Sequence, residues 1–388
     1  MEKVKILKAV DIINDSVSEY EGERPFLSTG DLNLSTITNL ELHTFSEKPS
    51  RANQNVSSGD LILARMQGTV KVKLINNEDE NIIVSTGFLV LRPKINADSK
   101  YLFHLLKSSN FQNDKDKLCT GATQKAINNS NFEKLEIPLP NLATQQRIAA
   151  ILDQADAIIQ NNRAIVQKYD ALTQSLFLDM FGDPVKNEKG WEKNNCRNIL
   201  KVIGGGVFKS SDYVKNGIPL IRIGSVNKGY FDDRETVFIP ETYIKTHKKY
   251  LVYPNDLLIT LTGTVGKNDY GNVFKLGNDY EKYYLNQRVA KFEINETKID
   301  SVFFEFYLKQ NEIKKLLTSV SRGVRQANIS NEDIYNLEII LPSINLQNQF
   351  AERVAMIEAQ KQQAQLELAK SEELFNSLLQ KAFKGELS

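Results

Sequence analysis

Imidazole is the commonest side-chain base and metal ligand near neutral pH, so the three histidines, His43, His104 and His247, are the first places to look for chemistry. They occupy unrelated contexts, with no His-x-x-x-His pair or carboxylate cluster at ligand spacing beside them. His104 sits in the helical run Tyr101-Leu-Phe-His-Leu-Leu106, where packing is its expected role. The string Gly204-Gly-Gly-Val-Phe-Lys-Ser210 looks at first like a phosphate loop, but Phe208 stands where glycine must precede the lysine. We read it as a flexible strand connection. No Asn/Asp-Pro-Pro-Tyr/Phe string occurs, so an amino-methyltransferase site of that type is not in this chain.

Polar and basic residues gather instead on glycine- and threonine-rich loops. The first half carries Arg65, Gln67, Thr69, Lys71 and Lys73 around one loop, Thr86 in Ser-Thr-Gly, and Thr123, Gln124 and Lys125 on another. The second half carries Lys209 and Ser210, then Thr262, Thr264 and Lys267, then Asn286-Gln287-Arg288, and finally Arg322, Arg325, Gln326 and Asn328. Arg, Asn, Gln and Lys on such loops suit base edges, whereas Ser, Thr, Lys and glycine amides suit phosphates. A single Gly-Thr turn with a basic neighbour is an ordinary solvated connection. Recurrence at matching places in both halves favours a partner with two half-sites.

That recurrence is a property of the whole chain. Residues 121 to 140, GATQKAINNSNFEKLEIPLP, match residues 323 to 342, GVRQANISNEDIYNLEIILP, at nine of twenty positions with an offset of 202. The offset persists through Gln145/Gln347, Ala149/Ala351 and Phe181/Phe383. Upstream, Gly59-Asp-Leu-Ile-Leu answers Asn255-Asp-Leu-Leu-Ile, and Pro25-Phe-Leu-Ser-Thr-Gly answers Pro219-Leu-Ile-Arg-Ile-Gly. A unit this long is no solenoid repeat, so two similar domains are expected.

Each unit has two textures. Apolar runs broken by Gly, Asn, Asp and Pro, such as Asp60 to Ala64, Ile82 to Arg92, Leu257 to Thr262 and Tyr283 to Ile294, read as strands. Helical stretches follow over Lys100 to Lys107 and Ser301 to Leu317. From Ile148 the period changes: Ile148, Ile151, Ala155, Ile158, Asn162, Ile165, Tyr169, Leu172 and Leu176 recur at steps of three and four, a heptad seam. Neither proline nor glycine interrupts 143 to 181, giving a helix roughly 55 Å long. The C-terminal stretch offers Phe350, Val354, Ile357, Ala364, Leu368, Phe375, Leu378 and Ala382, with Lys361 and Ser371 admitted to the seam. Each stripe needs cover, and its own repeat is the simplest partner. Asn162 either fixes the register of that pairing or faces solvent.

The expected architecture is therefore two mixed α/β (α+β) domains, residues 1–140 and 186–342, separated by long helices over 141–185 and 343–388. The helices would pair as an antiparallel coiled coil, with pseudo-twofold internal symmetry.

Composition sets bounds. The 388 residues are 41% hydrophobic and 25% charged, ordinary values that fit neither disorder nor a collagen-like chain. Cys119 and Cys196 lack metal or disulfide spacing, and a reducing cytoplasm suits them. The N-terminal stretch has no signal-peptide core, and nothing approaches a membrane-spanning run. The 49 basic and 48 acidic side chains divide unevenly: 17 against 18 in the first domain, 3 against 5 in the central spacer, 24 against 19 in the second domain and 5 against 6 at the end. The second domain is the basic one.

The order of domain, Leu135-Glu-Ile-Pro-Leu-Pro140 exit, Gln145-Gln-Arg-Ile-Ala149 helix ending in Phe181-Gly-Asp-Pro, second domain, Leu337-Glu-Ile-Ile-Leu-Pro342 exit and helix ending in Phe383-Lys-Gly-Glu-Leu resembles the specificity subunit of Type I restriction-modification systems. The likeness covers the whole chain. It implies a non-catalytic reader of double-stranded DNA, each domain recognising half of a bipartite asymmetric sequence, with the paired helices as a ruler. It also implies two modification subunits docked on the helices and restriction subunits further out. S-adenosylmethionine, ATP and magnesium would then sit on those partners and none on this chain. The matching loops differ, Ser85-Thr-Gly against Asn286-Gln-Arg and Thr-Gln-Lys against Arg-Gln-Ala, as two different half-sites would require. Two rivals belong to other classes: a coiled-coil scaffold with two protein-binding domains, and an enzyme assembled from these loops.

Overall fold

The computed structural model describes residues 3–229, 236–264, 267, 269–319 and 326–387. Each globular part packs with half of each long helix, so the compact units are Met1–Ala164 with Ala364–Ser388, and Ile165–Gln363.

In the first unit a four-stranded antiparallel sheet runs in the order Val10–Ile13, Phe88–Pro93, Leu61–Ala64, Val72–Leu74. Successive strand residues point to opposite faces, and here both faces are apolar. Leu61, Leu63, Leu89 and Leu91 join a core with the helices, while Ile62, Ala64, Phe88 and Val90 join a second core. A sheet covered on both sides explains strands that read as unbroken apolar runs. The second sheet, ordered Glu41–His43, Arg24–Leu27, Ile83–Ser85, Ala52–Gln54, contains one parallel pair.

The run from Ile82 to Arg92 is thus two strands in two sheets, and the chain crosses between them at Thr86-Gly87. The second unit repeats the plan. Its antiparallel sheet is Leu200–Gly204, Val289–Ile294, Leu257–Thr260, Val273–Lys275, and its mixed sheet is Phe238–Ile239, Ile218–Ile221, Tyr283–Leu285, Leu251–Val252. Here the crossing falls on Asn286-Gln287-Arg288.

Helices Ser99–Lys107 and Ser109–Lys117 meet at Ser108, whose extended backbone ends the first while its hydroxyl accepts the Phe111 N–H of the second at 3.3 Å. In the second unit the single stretch expected over Ser301 to Leu317 is also two helices, Ser301–Leu308 and Asn311–Ser319. Asp98 and Asp300 cap the leading helix of each pair, accepting the N–H of Tyr101 at 2.9 Å and of Val302 and Phe303 at 2.8 Å.

The long helices span Leu142–Phe181 and Ile344–Lys384. On the second, Val354 and Phe375 are buried and Ile357, Leu368 and Leu378 half-buried, on the stripe read from the sequence. The first needs a correction. Ile148 is buried and Ile151 and Leu176 half-buried, but Ile158, Ile165 and Leu172 are 52%, 42% and 49% exposed. The covered positions are Leu152, Ile159, Val166 and Thr173, one residue further on. The line Ile148, Ala155, Asn162, Tyr169, Leu176 has apolar residues on both flanks, broken only by Thr173, so heptad spacing alone does not choose between them. Only one flank is covered. In the first unit Asn162 Nδ2 donates to Ser371 Oγ at 2.9 Å and Arg163 pairs with Glu372 at 2.6 Å. In the second, Lys361 meets Asp170 at 2.6 Å, and Phe177, Phe181, Phe303 and Phe350 form a ring cluster.

Candidate nucleic-acid interface

In the first unit the loop after Leu61–Ala64 and the loop before Asn129–Phe132 are tied together. Met66 and Thr120 both bridge to Ala126, the Gln67 N–H donates to Lys125 O at 2.9 Å, and the Arg65 N–H donates to Gly87 O at 3.0 Å. These bonds bring Gln67, Thr69, Thr86, Thr123, Gln124 and Lys125 onto one face, all but half-buried Thr69 exposed. Thr69 Oγ1 donates to Met66 O at 2.9 Å, and Gln67 Nε2 to Asp116 O at 3.3 Å. Gly121 lies at φ +136°, and a Cβ there would come within 2.4 Å of Gln124 O, so this tight turn requires glycine.

The cations of that loop are mostly engaged. Arg65 donates to Phe88 O at 3.1 Å and to Asn129 Oδ1 at 2.9 Å, and burial pulls its guanidinium below the ordinary range. Lys71 Nζ donates to Thr29 O at 2.6 Å, and Lys73 pairs with largely buried Asp79 at 2.9 Å. Arg65 and Lys73 therefore build the loop, and Gln124 and Lys125 are presented by it. Lys115, absent from the motif reading, lies beneath with a fully covered side chain and donates to Met66 O and Thr69 O, each at 3.1 Å. Burial lowers its pKa, with Asp116 opposing. Nothing in Asn113-Asp-Lys-Asp-Lys117 distinguishes a buried lysine from a solvated one. Only the tertiary position of those carbonyls does.

In the second unit the corresponding loops form a strand pair, Thr262 opposite Asn328, Gly263 opposite Ala327 and Thr264 opposite Gln326. Asp269 accepts the Thr264 N–H at 2.8 Å and its hydroxyl at 2.9 Å, which holds the carboxyl below its usual range. The Lys267 N–H donates to Thr264 O at 3.0 Å, and the residue is exposed. Arg322 and Arg325 lie outside the described residues.

The triplet Asn286-Gln287-Arg288 is fixed by backbone bonds. The Asn286 N–H donates to Ile221 O at 3.1 Å, the Gln287 N–H to Gly206 O at 2.8 Å, and the Leu261 N–H to Arg288 O at 3.0 Å. A Cβ on Gly205 would fall 2.2 Å from Asn286 O, and one on Gly206 2.6 Å from the Tyr250 ring. The glycine run is therefore a close-packed support for the triplet rather than a flexible connection. Lys209 and Ser210, exposed, follow it, with the Lys209 N–H on Asp212 at 2.8 Å.

Beside the triplet opens a cavity of about 470 Å³ lined by Arg222, Ser225, Lys228, Asn286, Gln287 and Arg288. The motif reading missed Arg222 and Lys228. A signal was present, since the aligned strings Pro25 to Gly30 and Pro219 to Gly224 put Arg222 where the first half has Ser28. The strands ending at Leu27 and Ile221 pair in parallel with those leading into the two triplets. No group of His, Cys, Asp or Glu suited to a metal ion occurs among the described residues, and no helix there is long and apolar enough to cross a membrane.

The profile of the Type I restriction modification DNA specificity domain matches residues 4–168 and 188–368. The chain is 26% identical to the MjaVIII Type I restriction enzyme specificity subunit of Methanocaldococcus jannaschii, over 93% of this chain and 86% of that protein. It is 25% identical to the EcoKI specificity subunit of Escherichia coli, over 87% and 77%. Among solved structures, a chain from a study of assembly and conformational transition in the type I R-M system shares the fold, with a TM-score of 0.62 and 19% identity over 99% of this chain and 98% of that one. The S subunit from M. genitalium gives 0.56 at 18% identity, over 98% and 96%. With one specificity domain matched twice, on two units that repeat the same sheets and loops, the chain belongs to the family of Type I restriction-modification specificity subunits.

Proposed function

We propose that each unit reads one half of a bipartite, asymmetric DNA sequence through its loop face and that the chain performs no catalysis itself. The observation that carries this reading is the repeat of one loop framework with different side chains. Thr86-Gly87 and Lys125 in one unit stand where Gln287-Arg288 and Ala327 stand in the other, with Gln124 and Gln326 in common. One framework with two sets of donors suits two unlike half-sites.

In this reading the long helices pair antiparallel as a coiled coil and set the spacing. Asn162 with Ser371 and Lys361 with Asp170 support that direction. The exposed apolar positions, Ile158 in the first unit and Ile165 and Leu172 in the second, are the surfaces for the two methyltransferase subunits. S-adenosylmethionine, and ATP with magnesium where a restriction subunit joins, are bound by those partners in the cytoplasm.

Sequencing methylated bases in cells with and without this gene tests the proposal. A bipartite adenine-methylation motif is expected to vanish on deletion. Survival of every motif, with no DNA binding by the assembled complex, would leave a protein-binding scaffold instead.

A further inference from the structure

We propose that Arg288 reads a guanine in the half-site bound by the second unit, its guanidinium fork donating to the O6 and N7 acceptors at the mouth of the 470 Å³ cavity. The inference rests on the DNA-reading proposal above and adds the base and the side chain.

The turn is built to present side chains. Its backbone N–H groups are spent: Asn286 on Ile221 O, Gln287 on Gly206 O, Val289 on Asn286 O at 2.9 Å, and Arg288 on the Asn286 side chain at 3.4 Å. A phosphate cradle needs free amides, and this turn offers none. Gln287 and Arg288 are both exposed, and neither side chain makes a hydrogen bond or ion pair among the described residues. The backbone carrying them packs against Gly205 and is bonded to Gly206 O, so little ordering of the main chain remains for binding.

Guanidinium is a donor only. The exposed edge of guanine offers two acceptors, whereas adenine places an amino donor beside N7 and would oppose the fork. Arg222 and Lys228 line the same cavity. The first unit has no counterpart: its crossing is Ser85-Thr86-Gly87, and a Cβ on Gly87 would come within 2.8 Å of Thr29 Cγ2, so the space is filled from the neighbouring loop. The guanine readout belongs to one half-site only.

The test uses the chain in its assembled methyltransferase complex. With Arg288→Ala, sequencing of methylated bases is expected to show one guanine position losing about tenfold or more of its preference, all others keeping theirs. With Arg288→Gln the same position is expected to shift towards adenine, the base a glutamine amide pairs with. Independently, the unaltered complex is titrated with duplexes carrying 7-deazaguanine at each guanine in turn. Weakened binding is expected at that position, because the N7 acceptor is gone. An unchanged motif in both variants, or a uniform loss of methylation with no change in base preference, overturns the inference and marks Arg288 as a phosphate contact or a bystander. Absence of any bipartite motif with the unaltered chain would overturn the DNA-reading proposal itself, a different outcome read in a different sample.

Discussion

Gln145 and Gln347, 202 residues apart, make the same two bonds: each Oε1 accepts a backbone N–H, from Asp98 at 2.8 Å and Asp300 at 2.9 Å, and each Nε2 donates to a proline carbonyl, Pro140 or Pro342, at 2.7 Å. Both side chains are fully buried. One amide thus fastens the cap of the domain helix to the chain entering the long helix. Gln145 Nε2 also donates to Asn96 O at 2.9 Å, so Gln145→Ala would leave the Asp98 N–H and the Asn96 and Pro140 carbonyls without this partner, at up to about 1–3 kcal/mol for each group that water does not reach. Chemical denaturation is expected to show a loss of at least about 2 kcal/mol, and Gln347→Ala a similar one. A change within about 0.5 kcal/mol, the range of an ordinary surface substitution, would contradict this role.

His104 supplies a pH dependence. Its Nε2–H donates to Asp153 Oδ1 at 2.7 Å, while Nδ1 is buried without a partner among the described residues. Burial lowers its pKa despite Asp153. Protonation therefore places an N–H in an unreceptive site, and the unfolded chain takes up the proton first. Stability contributed by the neutral ring is whole above the unfolded value, near about 6.5, and is lost as pH falls below it. Burial alone would raise the Asp153 carboxyl, but its bonds to Lys100 and His104 hold it low, so its own loss comes only at more acidic pH. The melting temperature is expected to drop between about pH 7.5 and 5.5, and to drop less in His104→Gln. Equal slopes would exclude His104 as the cause.

The exposed flank of the central helix gives a binding test. Ile165→Glu touches no core, so melting is expected to stay within about 0.5 kcal/mol of the parent while co-purification with methyltransferase subunits falls. Full retention of those partners would move the docking surface elsewhere.

Gly205→Ala addresses the support of the triplet. The added methyl meets Asn286 O at 2.2 Å and Leu285 O at 2.4 Å, both backbone atoms that cannot swing away. Methylation is expected to decline with relaxed preference in one half-site only. Relaxation in both halves, or in neither, would show that the glycine run does not govern the turn.

The duplication was legible because it repeats side chains whose jobs are local and identical, such as Gln145, Asp98 and Pro140. The stripe on the C-terminal helix was legible because only one phase of it is apolar. The central helix was not, since Ile151, Ile158, Ile165 and Leu172 lie beside an equally plausible phase, and the packing partner makes the choice. The loops emerged as a set, but which cations they spend on their own carbonyls did not. Arg65 and Lys125 look alike in sequence, and only the tertiary position of Phe88 O and Asn129 separates them. The glycine run was misread because a close backbone approach leaves no trace in local spacing.

The division of the chain also orders its biosynthesis. Ile165–Gln363 is continuous and is complete once its last residue leaves the ribosome, whereas the other unit is begun first and finished last. Between Ala164 and Ala364 lie 199 residues, about 10–40 s of translation at ~5–20 residues per second. Throughout that interval the apolar residues Leu152 and Ile159 wait for Phe375 and Ala382, which share their core. The nascent first unit lacks that cover for the whole interval, so the half of the protein made earliest is the last able to complete its core.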